Sequence, residues 1–309
     1  IFSVLMKRFI IYFVILVIAL FGFRKFHYSN LLSVNYGFYG KYTTIFNKSN
    51  NFDVLFLGSS RAQMHYNTKL YDEYKKSNSF NLSYNGANVQ QAYTLLKCYL
   101  IKSNAPKKLY YEVDYHVLKT HEDGWMDFQN LFPYLSNNQI YNMLNKIDNR
   151  FFYAKYFPFY SLPNSGIKNY STSAHYFLHK SIQTDSLFYK GYFKNNVQQG
   201  LLNFPNQLKY QWINGIDRNY LDSIIVLCNQ KNIKLSFITS PIFGGGKLDV
   251  INHKQLINYL NQIAFINNIS YINLSSLSFC NDRSLFVDQH HMNEKGSNLF
   301  THYFCEIVN

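Results

Sequence analysis

Two stretches far apart in the sequence carry side chains able to make and break an acyl bond. The first is the apolar run Asp53 to Leu57 (DVLFL), which stops at Gly58-Ser59-Ser60. A serine at the carboxyl end of a buried strand, followed by a helix, has an exposed hydroxyl and an amide free to donate, the logic of a nucleophile elbow. The second stretch, Phe286 to Gly296 (FVDQHHMNEKG), runs into the last helix. There His291 can take the proton of Ser60. Asp288, three residues earlier in the same loop, can fix the imidazole tautomer and stabilise the imidazolium. Each stretch alone has a plainer account, because small-residue turns after strands are common and Asp288 or Asn293 would serve equally as a helix cap. Together they predict a catalytic set of Ser60, Asp288 and His291. His290 is the nearest rival base, and the three-residue spacing from Asp288 favours His291.

The pair of stretches resembles the SGNH (GDSL-like) hydrolase superfamily. Val54 to Ser60 (VLFLGSS) is similar to its first block, and Asp288-x-x-His291-Met292-Asn293-x-x-Gly296 to its last. Asn81 to Gly86 (NLSYNG) falls where the second block brings a glycine. The resemblance spans roughly 53–309, without the aromatic-rich middle. It implies a serine esterase or O-acyltransferase that needs no metal or other cofactor, with the amides of Ser60 and Gly86 as oxyanion donors. Two departures matter. Ser59 replaces the usual acidic residue, as in membrane-anchored relatives acting on cell-surface polymers. The G-x-N-D block is absent, and its expected place holds Asp114-Tyr115-His116. An ionised Asp cannot donate to an oxyanion, so either Tyr115 or His116 substitutes or the hole has only two donors. Loss of one such donor costs about 2.7 to 4 kcal/mol in other hydrolases, so slow turnover or a narrow substrate range is expected. Asn85, Tyr115, His116 and Arg61 are the candidate substrate-binding residues; Arg61 either meets an anionic substrate group or pairs with a carboxylate.

These residues need a scaffold, and the pattern supplies one. Besides Asp53 to Leu57, strands are predicted over Ser79 to Leu82, Lys108 to Val113, Lys234 to Thr239 and Ser270 to Leu274. Helical periods fall between them over Gln90 to Lys102, Arg218 to Gln230 and Gln255 to Asn267, with a last helix from about Glu294 to Val308. The alternation predicts a three-layer α/β/α, flavodoxin-like sandwich around a five-stranded parallel sheet, with ligands at the carboxyl ends of the strands. The segment 122–211 breaks the rhythm and reads as an aromatic-rich insertion, either a lid or substrate wall or a pad completing the core.

The chain has 309 residues, 47% hydrophobic and 15% charged, enough apolar surface for a core and unlike a disordered chain. Its net charge of +13 is spread in scattered pairs, which reads as a solvated surface rather than a nucleic-acid site. Cys98, Cys228, Cys280 and Cys305 lie far apart with no C-x-x-C pair, which supports neither a zinc site nor a redox motif. Phe9 to Phe23 carries no charge and is flanked by Lys7-Arg8 and Arg24-Lys25. It reads as a membrane helix of roughly 22 Å against a hydrocarbon core of roughly 30 Å. No A-x-A-like site follows it, so an uncleaved anchor is expected, with Met6-Lys7-Arg8 as its positive start and the body extracytoplasmic. The expected organisation is an anchor over 1–27, a linker over 28–51 and a hydrolase-like domain over 52–309. The expected partners are the membrane and an acyl ester of a surface glycan or related molecule. The alternative is a non-catalytic accessory protein that binds a glycan or a membrane acyltransferase.

Overall fold

The protein was analysed as a computed structural model, which describes residues 2–114, 117–118, 124–180, 187–196, 218–246 and 251–308. In chain order, helices α1 (Phe2–Ser33) and α2 (Gly37–Phe46) precede β1 (Val54–Leu57), α3 (Ser60–His65), α4 (Thr68–Lys75), β2 (Ser79–Asn81), α5 (Val89–Lys102) and β3 (Lys108–Glu112). A 3-10 helix (Phe128–Ser136) follows, then α6 (Asn138–Asn145), α7 (Arg150–Tyr156), α8 (Pro158–Ser161) and α9 (Ile167–His179). The hairpin strands β4 (Phe188–Tyr189) and β5 (Tyr192–Phe193) lead to α10 (Arg218–Gln230), β6 (Lys234–Thr239), α11 (His253–Ile266), β7 (Ser270–Asn273) and α12 (Glu294–Ile307). The chain forms two compact units, one of residues 1–43 with 127–183 and one of 44–126 with 184–309.

The larger unit is the α/β body. Its five-stranded parallel sheet has the order β2-β1-β3-β6-β7, the flavodoxin-like order for strands taken in sequence. The interior strand β1 is buried throughout because VLFL offers apolar side chains to both faces. Alternation sends Val54 and Phe56 to one face, where they join Tyr66, Tyr71, Tyr110, Phe300 and Phe304 in the core. The Phe56 ring stacks on Tyr66 at 4.8 Å and meets Tyr71 edge-on at 5.1 Å. Helices α4 and α12 pack together, as do α5 and α10, which layers helices around the sheet. Asparagine starts several of these helices: Asn67 caps α4, Asn88 and Gln91 make a capping box on α5, and Asn293 caps α12. All four cysteines are buried and unpaired. From β1 the chain crosses to β2 on one side and returns to β3 on the other, so Ser60 follows the strand at which the order reverses.

The smaller unit is helical and gathers around the C-terminal part of α1. His27 Nε2 and Ser165 Oγ lie 2.8 Å apart, Asn30 Nδ2 donates to Ser173 Oγ at 3.3 Å, and Tyr39 donates to Asn169 at 2.6 Å. This organisation differs from the predicted anchor and linker. The apolar run ends at Arg24-Lys25, but the helix continues to Ser33 because His27 and Asn30, one turn apart, find buried partners on α9 and the turn before it. Residues 28–51, expected as a linker, contain the end of α1 and α2. Of the described residues of the expected insertion, 127–180 belong to the unit built on α1, whereas 124–126 and 187–196 belong to the larger unit. Val4–Ser33 is long and apolar enough to cross a membrane, with mean hydropathy 2.5 over its best window and none of that window buried.

Candidate active site

Ser60 is the first residue of α3, just past Gly58 and Ser59, and its amide lies in a first turn whose N–H groups have no acceptor within the helix. Gly58 is required there. Its φ is +153°, and a Cβ would come within 2.8 Å of both the Ala62 and Glu112 Cβ atoms. The turn therefore passes against β3 with no room for a side chain. Leu82 N donates to Phe56 O and Tyr84 N to Gly58 O, at 2.7 and 3.1 Å, so the exits of β2 and β1 stay joined. The next turn, closed by Ala87 N on Tyr84 O at 3.0 Å, presents Asn85 and Gly86 to solvent, with Gly86 at φ +70°.

The loop before α12 reaches the same serine. Ser60 Oγ and His291 Nε2 are 2.7 Å apart, and His291 Nδ1 is 2.8 and 3.0 Å from the two oxygens of Asp288. Asp288 Oδ1 also accepts the backbone N–H groups of His290 and His291, each at 2.8 Å. The loop is pinned at its base by Val287 N on His291 O and Asn293 N on Leu285 O. Burial raises the Asp288 carboxyl, but the His291 hydrogen bond, the His291 charge and the two backbone donors together hold it well below the usual carboxylate range. An ionised Asp288 accepts from Nδ1–H, which leaves Nε2 with its lone pair toward the serine proton. Among described side chains this is a hydroxyl, a base and an orienting anion in line, an arrangement able to deprotonate Ser60 as it attacks an electrophile.

Other predicted residues stand elsewhere. Arg61 is fully buried, with Nη1 on Asp114 at 2.6 Å, Nη2 on Glu112 at 3.2 Å and Nη2 donating to Ser240 O at 2.6 Å. Of the two roles weighed for Arg61, its surroundings fit pairing with carboxylates and not contact with substrate: the guanidinium points into the sheet end and its charge is already met. Burial opposes that charge, and the two carboxylates outweigh it. Asp114 also accepts Val117 N at 2.9 Å. Tyr115 and His116 lie outside the described residues.

One group escaped the sequence reading. His65, at the end of α3, is fully buried and accepts Met292 N–H on Nε2 at 3.1 Å, while its Nδ1 is 2.7 Å from Ser240 Oγ. Ser240 gives its only hydroxyl proton to Glu112 at 2.8 Å, so His65 must be the donor in their pair. The partners thus fix His65 as the neutral Nδ1–H tautomer. Burial, then the charges of Arg61 and His291, push its pKa well below the ordinary value. The available signal was Glu112, an acid at the end of an apolar strand, which must find donors when buried.

No family model matches this sequence, and no curated protein matches it. Among solved structures, the chain is similar to a candidate acylhydrolase from Bacteroides fragilis, at 10% identity and a TM-score of 0.37, over 86% of this chain and 92% of that one.

Proposed function

We propose that the protein is a membrane-anchored, SGNH-type serine esterase or O-acyltransferase acting on acyl esters of a cell-surface glycan or related molecule. The observation that carries this reading is the 2.7 Å contact of Ser60 Oγ with an imidazole whose other nitrogen faces an ionised carboxylate. Ser60 attacks the ester carbonyl while His291 Nε2 takes the hydroxyl proton, and Asp288 stabilises the imidazolium. The amides of Ser60 and Gly86 receive the oxyanion. Collapse of the tetrahedral intermediate expels the alcohol, which takes the proton from His291 and leaves an acyl-Ser60 ester. Water or a sugar hydroxyl, deprotonated by His291, then attacks that ester and frees Ser60. Hydrolysis and transfer use the same side chains and differ only in the acceptor. The apolar, unburied stretch of α1 supports the anchor, and the α/β body is proposed to be extracytoplasmic.

Ser60→Ala should lower turnover of a small acetyl or butyryl ester by roughly 10⁴-fold or more. Unchanged turnover would refute the assignment. A fluorophosphonate probe should label Ser60 in the unaltered protein. Failure to label under several conditions would favour the accessory-protein reading, in which the fold binds a glycan or a membrane acyltransferase without chemistry.

A further inference from the structure

The helical unit holds a groove of about 810 Å³, within the range of about 300 to 1,000 Å³ usual for small-molecule sites. Its walls are apolar: Ile18, Phe21 and Leu32 from α1, Phe132 and Leu135 from the 3-10 helix, and Ala154 from α7. Gly22 of α1 also lines it, and a Cβ there would meet no atom within 4 Å, so the glycine leaves open space beside the helix. The charged lining residues are Arg24, Lys25 and Lys155, with no carboxylate among them. Arg24 is held in place by donating to the carbonyls of Ala154 and Lys155 at 3.3 and 3.0 Å. Lys155 donates to Asn138 at 2.7 Å, and Lys25 is exposed.

Two observations say what the groove meets. Ile18, 66% exposed, and Phe21 belong to the unburied apolar stretch of α1, so the groove is continuous with the candidate membrane span. Beside it, Phe152, Tyr153, Tyr156, Phe157 and Phe159 are each 43% to 49% exposed, and several touch one another through their rings. Such a patch is costly to hydrate, whereas aromatic rings gather at the membrane interface, where apolar bodies and polar tips are both accommodated. Apolar walls closed by a cationic rim ask for a molecule with an apolar tail and an anionic head. A neutral lipid would leave the cations without a counter-charge, and a glycan would find only Tyr28, Ser29 and Ser136 as neutral polar side chains along otherwise apolar walls.

We propose that this groove binds an anionic phospholipid of the surrounding bilayer, one acyl chain lying against Phe21, Phe132 and Ala154 and the phosphate on Arg24, Lys25 and Lys155. The inference rests on α1 being a membrane anchor and is independent of the chemistry at Ser60. Long basic side chains at the end of a span reach the headgroup layer, where an anionic phosphate meets their charge.

The test uses the full chain in vesicles that are identical except for a trace of phosphatidylglycerol or phosphatidylcholine carrying the same diazirine-bearing acyl chain. After photolysis, adducts are mapped by peptide mass spectrometry. Phosphatidylglycerol should label the 132–136 and 153–155 segments at least five-fold more than phosphatidylcholine. Gly22→Trp, which fills the groove, should bring that labelling down to the phosphatidylcholine level. Lys25→Gln, at an exposed position that threatens no fold, should reduce the preference between the two lipids at least two-fold. Adducts at Phe9–Phe13 should be the same in every variant. Equal labelling by both lipids, or groove labelling indifferent to both substitutions, would overturn the proposal and leave the anchor standing. Absence of adducts at Phe9–Phe13 in the unaltered chain would overturn the anchor and this proposal with it.

Discussion

At the scale of single residues, His65 makes the acid side of the protein's stability predictable. Its folded-state pKa is depressed, so the unfolded chain takes up a proton that the folded chain refuses. The stabilisation is complete above the unfolded value of about 6.5 and is lost as pH falls below it. A protonated His65 would also set an N–H against Met292 N–H, next to His291. Urea unfolding at pH 7.5 and 5 should therefore show lower stability at pH 5. His65→Gln should flatten part of that difference, while His253, also shifted down by burial and Arg61, keeps contributing to it. An equal pH response in the variant would remove His65 from this role. Asp288 and His291 are legible in the sequence because a three-residue spacing inside one loop lets them meet without knowledge of the fold. Arg61 is not. Its direction depends on Glu112 and Asp114 at the end of β3, and only the register of β1 with β3 brings those carboxylates to it.

At the scale of elements, the loop carrying His291 is held from both ends. Asn293 accepts Gly296 N at 3.0 Å as the cap of α12 and donates from Nδ2 to Ser284 O at 2.8 Å. Asn293→Ala should cost about 0.5 to 2 kcal/mol in unfolding free energy. It should also lower kcat on the small ester, because the loop loses one of the ties that hold His291 at Ser60. A cap loss seen in unfolding without any change in kcat would show that the loop is fixed by its base pairing alone. The sheet strands are legible to within a residue at each end, since buried parallel strands read as short apolar runs closed by turn residues. The short helix α4 and the β4-β5 hairpin are not. α4 is a polar eight-residue segment whose stability comes from packing on α12, and the hairpin is defined partly by Asn81 N reaching Lys190 O at 2.8 Å, a contact remote in sequence.

At the scale of the whole molecule, the N-terminal helix is where sequence and structure part most. Charge marks the end of the apolar run but says nothing about whether the backbone stops being helical, and α1 continues for more than two turns past Arg24. One residue inserted between His27 and Asn30 would turn one of them by about 100° away from its partner. Limited proteolysis should then cut the helical unit readily, while the same insertion after Leu16, where nothing packs, should leave it resistant. Equal resistance of both would mean that α1 is not part of that unit's core.

The continuity of α1 has a consequence for a bilayer-embedded protein. With no hinge at the exit from the hydrocarbon, a mismatch between the apolar length and the local membrane thickness cannot be absorbed by a slack tether. Where the proposed span is longer than the local hydrocarbon thickness the excess is taken up by tilt, and tilt of the rod is tilt of the helical unit fused to it. Membranes of different thickness should accordingly present that unit at different attitudes, and lipid composition becomes a variable that sets its pose.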